Sequence, residues 1–232
     1  MSALTDTRTE VAAAARVVAR AGLIQAFGHV SARLDGGGFV LTSTAPLLHA
    51  QPGDVLELEE NGNVLEGEGC PLEAPLHAAL YAGRPDIGAI CRTHSPHAAA
   101  WACRGEPPPI VHGLGGLSGG VGVYESPRLV CEPAAAAAVV DALGEGDCVL
   151  LRGNGAVCTA RDLPRAAVRA WFLEERAMLA DLAQGAPELS ADELRDRSQH
   201  YEAEIERAWR WLRARFGDVG EPTSTNRRGS SP

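Results

Sequence analysis

The stretch Gly69–Ala102, GCPLEAPLHAALYAGRPDIGAICRTHSPHAAAWA, joins a carboxylate, a helix, a short strand and two histidines in one unit. Residues alternate from Ile87 to His94, so Ile90, Arg92 and His94 share one face of a strand and Ala89, Cys91 and Thr93 the other. Ser95-Pro96 then reads as an N-cap followed by proline at the first helical position, predicting a helix to about Cys103. His94 falls at the carboxyl end of the strand and His97 in the first turn of that helix. In α/β proteins this rim is where ligands bind. Glu73 stands just ahead of a short helix whose inward residues are Leu76 and Leu80, an arrangement that can swing its carboxylate onto the same rim.

Upstream, Thr5 or Thr9 is placed to cap a first helix carrying Val11, Ala14, Ala15, Val18 and Leu23. A half-buried strand follows, with Val30, Ala32 and Leu34 alternating against Ser31 and Arg33. Phe39–Ser43, Asp54–Glu59 and Asn63–Glu66 read as further strands, the last two joined by the hairpin signal Asn61-Gly62. Downstream, Gly113–Gly122 is rich in glycine but lacks the lysine and hydroxyl residue of a phosphate-binding loop, and reads as a connection. Leu129–Cys131 is a short apolar piece, and Pro133–Leu143 predicts an alanine-rich helix closed by Gly144. Asp147–Arg152 and Ala156–Thr159 predict strands flanking Gly153-Asn154-Gly155, and Leu163–Ala183 a long helix. Ser190 and Glu193 form a capping box for one last helix to Phe216. Residues 1–216 thus read as one domain and 217–232 as a disordered tail rich in Ser, Thr, Pro, Gly and Arg.

The 232 residues carry a formal charge of −9, with the basic residues scattered, which argues against nucleic acid and anionic membrane as partners. No apolar run nears the ~20 residues of a membrane span, and the opening MSALTDTRTEV lacks a signal-like apolar segment. Six cysteines at 70, 91, 103, 131, 148 and 158 have no paired metal spacing, and read as reduced thiols of a cytosolic (cytoplasmic) protein.

The order of parts resembles the class II aldolase/adducin family: a helix, Gly28-His29-Val30-Ser31-x-Arg33, Glu73 before a helix, Arg92-x-His94 closing a strand, Arg152-Gly153-Asn154-Gly155, and a long helix. The Arg84-Pro85-Asp86 turn and the His94-Ser95-Pro96 step fit best a branch with aromatic-acid decarboxylase-like members. The resemblance implies an α/β, three-layer fold with a central, mostly antiparallel sheet and helices on both faces, assembled as a homotetramer with sites near subunit contacts. It also implies a divalent metal, usually zinc, held by a His-x-His pair and a later histidine, with a glutamate at the Glu73 position moving a proton.

This chain departs from that pattern. Arg92 stands for the first histidine of the pair, Asn154 for the later one, and His29 for a usual asparagine; His94 alone is kept and is the tentative metal ligand. The hydroxyl pair that family aldolases use for a substrate phosphate falls on Pro71 and Leu72, with Ser43 left at another phosphate-contacting position. His112 matches a histidine near the metal in several family members. A guanidinium about 5 Å from a divalent ion opposes its binding by several kcal/mol at an effective dielectric near 20, so a zinc-like metal is expected weak or absent, and no nucleotide is expected. Arg92 is then expected to take over part of the metal's role, with Glu73 and His94 as the other catalytic residues and His29, Ser31, Ser43, His112 and Asn154 around a small-molecule substrate. The expected activity is a carbon–carbon or carbon–oxygen lyase on a small non-phosphorylated carboxylate or carbonyl compound. The alternative is an inactive binding or scaffold subunit in which Arg92 pairs with Glu73 and seals the cleft. His77 is expected on a helix surface, and Arg33 in a structural ion pair.

Overall fold

The computed structural model describes residues 3–218. Strand β5 (Ala89–Thr93) is buried throughout because it lies near the middle of a sheet covered on both sides. Eight strands in the order β4-β3-β2-β1-β5-β8-β7-β6 form that sheet among the described residues. The others are β1 (His29–Arg33), β2 (Phe39–Thr42), β3 (Val55–Leu58), β4 (Val64–Glu66), β6 (Val121–Tyr124), β7 (Cys148–Leu151) and β8 (Ala156–Ala160). All neighbours are antiparallel except the parallel β6–β7 pair.

Helices α1 (Ala3–Arg20), α3 (Pro96–Arg104) and α5 (Leu163–Leu182) cover one face over a core that includes Val30, Cys91, Cys148 and Cys158. Helices α2 (Ala74–Gly83) and α4 (Pro133–Leu143) cover the other, over Leu41, Leu56, Ile90 and Val157. The expected three-layer α/β architecture is therefore present. Leu76 and Leu80 of α2 are fully buried, each contributing about 1.5–3 kcal/mol. That exceeds the ~1 kcal/mol of an ordinary hydrogen bond, so the leucines seat the helix and its polar residues are carried in with it.

Several expectations change. The first helix already includes Ala3, so neither threonine caps it; Thr9 lies within it and donates to the Thr5 carbonyl at 2.8 Å. Strand β1 is buried on both faces rather than half-buried, because α1 and α2 cover opposite sides of the sheet. β6 occupies part of the glycine-rich stretch read as a connection, at the sheet edge where Gly122 lets the Ala142 carbonyl come close. The capping box at Ser190 is present, but the last helix is two, α6 (Ala191–Ser198) and α7 (Tyr201–Phe216). The break falls at Gln199-His200, where the Ser198 hydroxyl turns back to the Arg195 carbonyl at 2.7 Å. Ser95 makes no side-chain cap; the Glu174 carboxylate from α5 accepts instead from the backbone N–H groups of His97 (3.0 Å) and Ala98 (2.8 Å). The expected tail lies outside the described residues beyond Asp218, which pairs with Arg16 and Arg20.

Candidate active site

β1 and β5 pair so that His29 stands opposite Arg92 and Ser31 opposite Ile90, setting His29, Ser31 and Arg92 on the α2 side of the sheet. On α2, Glu73 occupies the N-cap, His77 lies one turn later and Tyr81 one turn beyond that. The polar stripe of the helix thus faces the polar stripe of the sheet. Glu73 Oε2 comes within 3.2 Å of Arg92 Nε, with Arg92 wholly buried and the Glu73 side chain 6% exposed. The approach is out of line with the N–H bond, so the contact is a charge pair rather than a full hydrogen bond.

Arg92 Nη1 donates to the Thr93 carbonyl at 2.7 Å, while Nη2 has no partner. Glu73 Oε1, His77 Nε2 and His29 Nδ1 are likewise buried without a partner. Burial pulls the Arg92 pKa down and the nearby Glu73 carboxylate pushes it back up. Burial first, and then the Arg92 charge, lowers His94 to about 4; the same two causes with His94 added lower His29 to about 3. These imidazoles are neutral at pH 7.

Two glycines let the backbone close around this cluster. At Gly28 (φ 140°) a Cβ would lie 2.7 Å from the Arg92 carbonyl oxygen. At Gly155 (φ 77°) it would strike the Thr93 carbonyl oxygen and lie 3.2 Å from Arg92 Nη1. The turn holding Asn154 is thereby pressed against the end of β5, and the Leu23 carbonyl fixes the His94 backbone at 3.0 Å.

Other expected site residues are more distant or differently engaged. Ser43 lies just past β2, where its hydroxyl accepts from Ala45 N–H at 3.2 Å, and Thr44 ties this corner to Gly69, just ahead of Pro71 and Leu72. His112 pairs with Glu175 of α5 at 3.2 Å, not with the strand-end cluster. Glu175 lines a separate groove with Trp171, Phe172 and Trp211, where Arg197 and Glu204 already pair. His97 faces Asp181 at 3.5 Å. Among the described residues Arg33 has no carboxylate partner; its guanidinium donates to the Tyr81, Ile87 and Arg84 carbonyls and stacks over the Tyr81 ring.

His77 is fully buried, contrary to the helix-surface expectation, because it lies on the face of α2 turned to β1. Its Nδ1 meets Ser31 Oγ at 2.8 Å, and Ser31 Oγ meets Tyr81 OH at 2.7 Å. The spacing 73, 77, 81 would have shown these residues on one helix face. Nor do the donors fit the metal that the family resemblance implies. Among the described residues no three His, Cys, Asp or Glu side chains gather as an ion would require. Arg92 occupies the space beside His94, and Glu73 is engaged with it.

Residues 9–180 match the family described as the Class II Aldolase and Adducin N-terminal domain. The chain is 32% identical to a 3,4-dihydroxyphthalate decarboxylase from Arthrobacter keyseri over 190 residues, 75% of this chain and 77% of that one. It is 30% identical to a 5-methylthioribulose-1-phosphate/5-deoxyribulose-1-phosphate aldolase from Rhodospirillum rubrum over 169 residues, 71% and 75% of the two chains. Among solved structures, an L-fuculose 1-phosphate aldolase superposes with a TM-score of 0.76 at 23% identity, covering 87% of this chain and 98% of that one.

Proposed function

Since the chain belongs to the class II aldolase and adducin family, whose relatives here are decarboxylase and aldolase-type lyases, we propose that it is a lyase acting on a small, non-phosphorylated carboxylate. Arg92 holds the carboxylate or the enolate oxygen that forms when the bond to the departing carbon breaks. The electron pair left by that bond moves onto the oxygen facing the guanidinium, and Glu73 moves the proton that ends on carbon. His94 stays neutral and borders the site as a hydrogen-bonding ring, and Asn154 lies on the turn at its edge. No step is assigned to a metal, because the donor set beside Arg92 does not suit one.

One observation carries this reading. Buried Arg92 Nη2 and buried Glu73 Oε1 belong to contacting side chains, and both lack partners. Buried polar groups left unmatched are costly, about 1–3 kcal/mol each and more for charged ones. A substrate oxygen on Arg92 and a substrate proton on Glu73 would match both. Pro71 and Leu72 in place of hydroxyls, with Leu72 and Phe27 exposed beside the site, support an apolar rather than a phosphorylated substrate body.

The Arg92–Glu73 pair also favours a second reading, in which the two charges only satisfy each other and the chain is a binding subunit. One experiment separates the two. The purified chain is given 3,4-dihydroxyphthalate and a panel of aromatic and aliphatic acids, carbon dioxide release is followed, and benzoate binding is measured by calorimetry. Turnover that is lost in Arg92→Met, together with benzoate binding, supports the lyase. No turnover of any acid in the panel supports the second reading. Stoichiometric zinc that disappears in His94→Ala would overturn the part given to Arg92.

A further inference from the structure

Resting on the lyase reading, we infer that His77 is a second substrate contact, a neutral imidazole whose Nε2–H donates to the same oxygen that Arg92 holds, with Ser31 and Tyr81 as the positioning residues that fix its tautomer. The direction of the chain of hydrogen bonds follows from counting protons. The Tyr81 hydroxyl has Ser31 Oγ as its described hydrogen-bond partner, at 2.7 Å. If Tyr81 accepted from Ser31, its own proton would be stranded in a fully buried place. Tyr81 O–H therefore donates to Ser31 Oγ, and Ser31 O–H donates to His77 Nδ1 at 2.8 Å. An imidazole that accepts at Nδ1 carries its proton at Nε2.

That proton has no partner, although the whole side chain is buried. The His77 ring lies 5.6 Å from that of His29, which stands across from Arg92, and His77 is one turn from Glu73. Five polar atoms without a hydrogen-bond partner, Arg92 Nε and Nη2, Glu73 Oε1, His77 Nε2 and His29 Nδ1, thus belong to one buried neighbourhood. Burial and the charges around it keep His77 neutral well below its usual range, which suits a donor that neither gives up a proton nor brings a charge. Arg33, stacked 4.8 Å over the Tyr81 ring, holds the far end of the relay in place.

Nitrogen-15 NMR of the full chain, with His77 assigned by its loss in His77→Gln, reads the tautomer directly. The Nε2–H form is expected in the unsubstituted chain, with a shift toward a mixture in Ser31→Ala and in the near-isosteric Tyr81→Phe. A merely structural role for Ser31 and Tyr81 would leave the tautomer unmoved, and an Nδ1–H form in the unsubstituted chain overturns the inference. Calorimetry with benzoate supplies the second readout. His77→Leu is expected to weaken binding about 10-fold or more, and His77→Gln, which keeps an N–H donor, to recover part of it. Unchanged benzoate affinity in a folded His77→Leu chain overturns the assignment. If Arg92→Met abolishes binding while His77→Leu does not, this inference fails and the lyase reading stands; if Arg92→Met binds normally, the lyase reading itself fails.

Discussion

The two faces of the sheet at one level teach more than either does alone. On the α1–α5 side, Cys91, Cys158 and Cys148 line up across three neighbouring strands, all buried; burial pushes the Cys91 thiol up to about 12, and its contact with the Cys148 thiol, then burial, raises Cys158 above its usual range. On the α2 side, one residue along β5, Arg92 meets Glu73, with Ser31, His77 and Tyr81 behind it. Depth of burial is the same; what differs is whether polar groups are matched. The thiols need little and sit inert. The α2 face keeps charged and polar atoms that its own residues leave unmatched, and it is the face to which the proposed activity is assigned.

The sharpest way to break this comparison is Arg92→Met. Removing one partner strands Glu73 as a buried charge, so unfolding stability is expected to fall by about 3–5 kcal/mol, and turnover by about 10²-fold or more. Combining it with Glu73→Leu removes both charges and is expected to restore stability to that of the unsubstituted chain or above, with turnover still absent. Urea unfolding of both variants alongside carbon dioxide release separates the two effects. A double variant that stays destabilised would mean that the pair is structural.

Leu150→Ala, on the thiol side and fully buried, is expected to cost about 2–5 kcal/mol by opening a cavity while leaving benzoate affinity unchanged. Loss of affinity there would show that the two faces are not independent.

This division was partly legible in the residues. Alternation through β5 separated Arg92 from Cys91 correctly, and the Ser-Pro, Asn-Gly and capping-box signals marked helix and turn boundaries close to those observed. What alternation cannot say is which partners stand across a strand or above it. His77 looked like a surface residue because a short helix enclosed on nearly every side shows little amphipathic pattern, and its burial follows from facing β1, where it meets Ser31 and His29. Arg33 looked like half an ion pair, and its carbonyl partners belong to the turn after α2. β6 escaped notice because its glycine is a packing demand from α4, invisible without the neighbour.

Acid should act on the α2 face. His29 and His94 lie at about 3 and 4 in the fold, against about 6.5 when unfolded. Between those values the unfolded chain binds more protons, so stability falls as pH drops from 6.5 toward 4 and 3. Urea midpoints across that range are expected to decline less steeply in His29→Gln and His94→Gln, whereas Leu150→Ala should keep the original slope. A slope unchanged by both histidine substitutions would place the acid sensitivity elsewhere.

The smallest effect concerns two exposed apolar residues close in sequence to the polar cluster. Phe27 and Leu72 are 75% and 74% exposed; Phe27 comes two residues before His29 and Leu72 directly before Glu73. Exposed side chains contribute little to the fold, so Phe27→Ala and Leu72→Ala should change stability by no more than about 0.5 kcal/mol. If the substrate has an apolar body, each truncation removes surface that would cover it, lowering benzoate affinity by about 3–10-fold at ~25 cal/mol per Å2 of lost apolar contact. Acetate uses the Arg92 end alone and should bind equally well to all variants. A parallel loss for both acids would mean that the truncations disturb Arg92. No loss for either would leave the carboxylate site intact but remove the case for an apolar substrate body, because affinity would then depend on the charged end of the cleft alone.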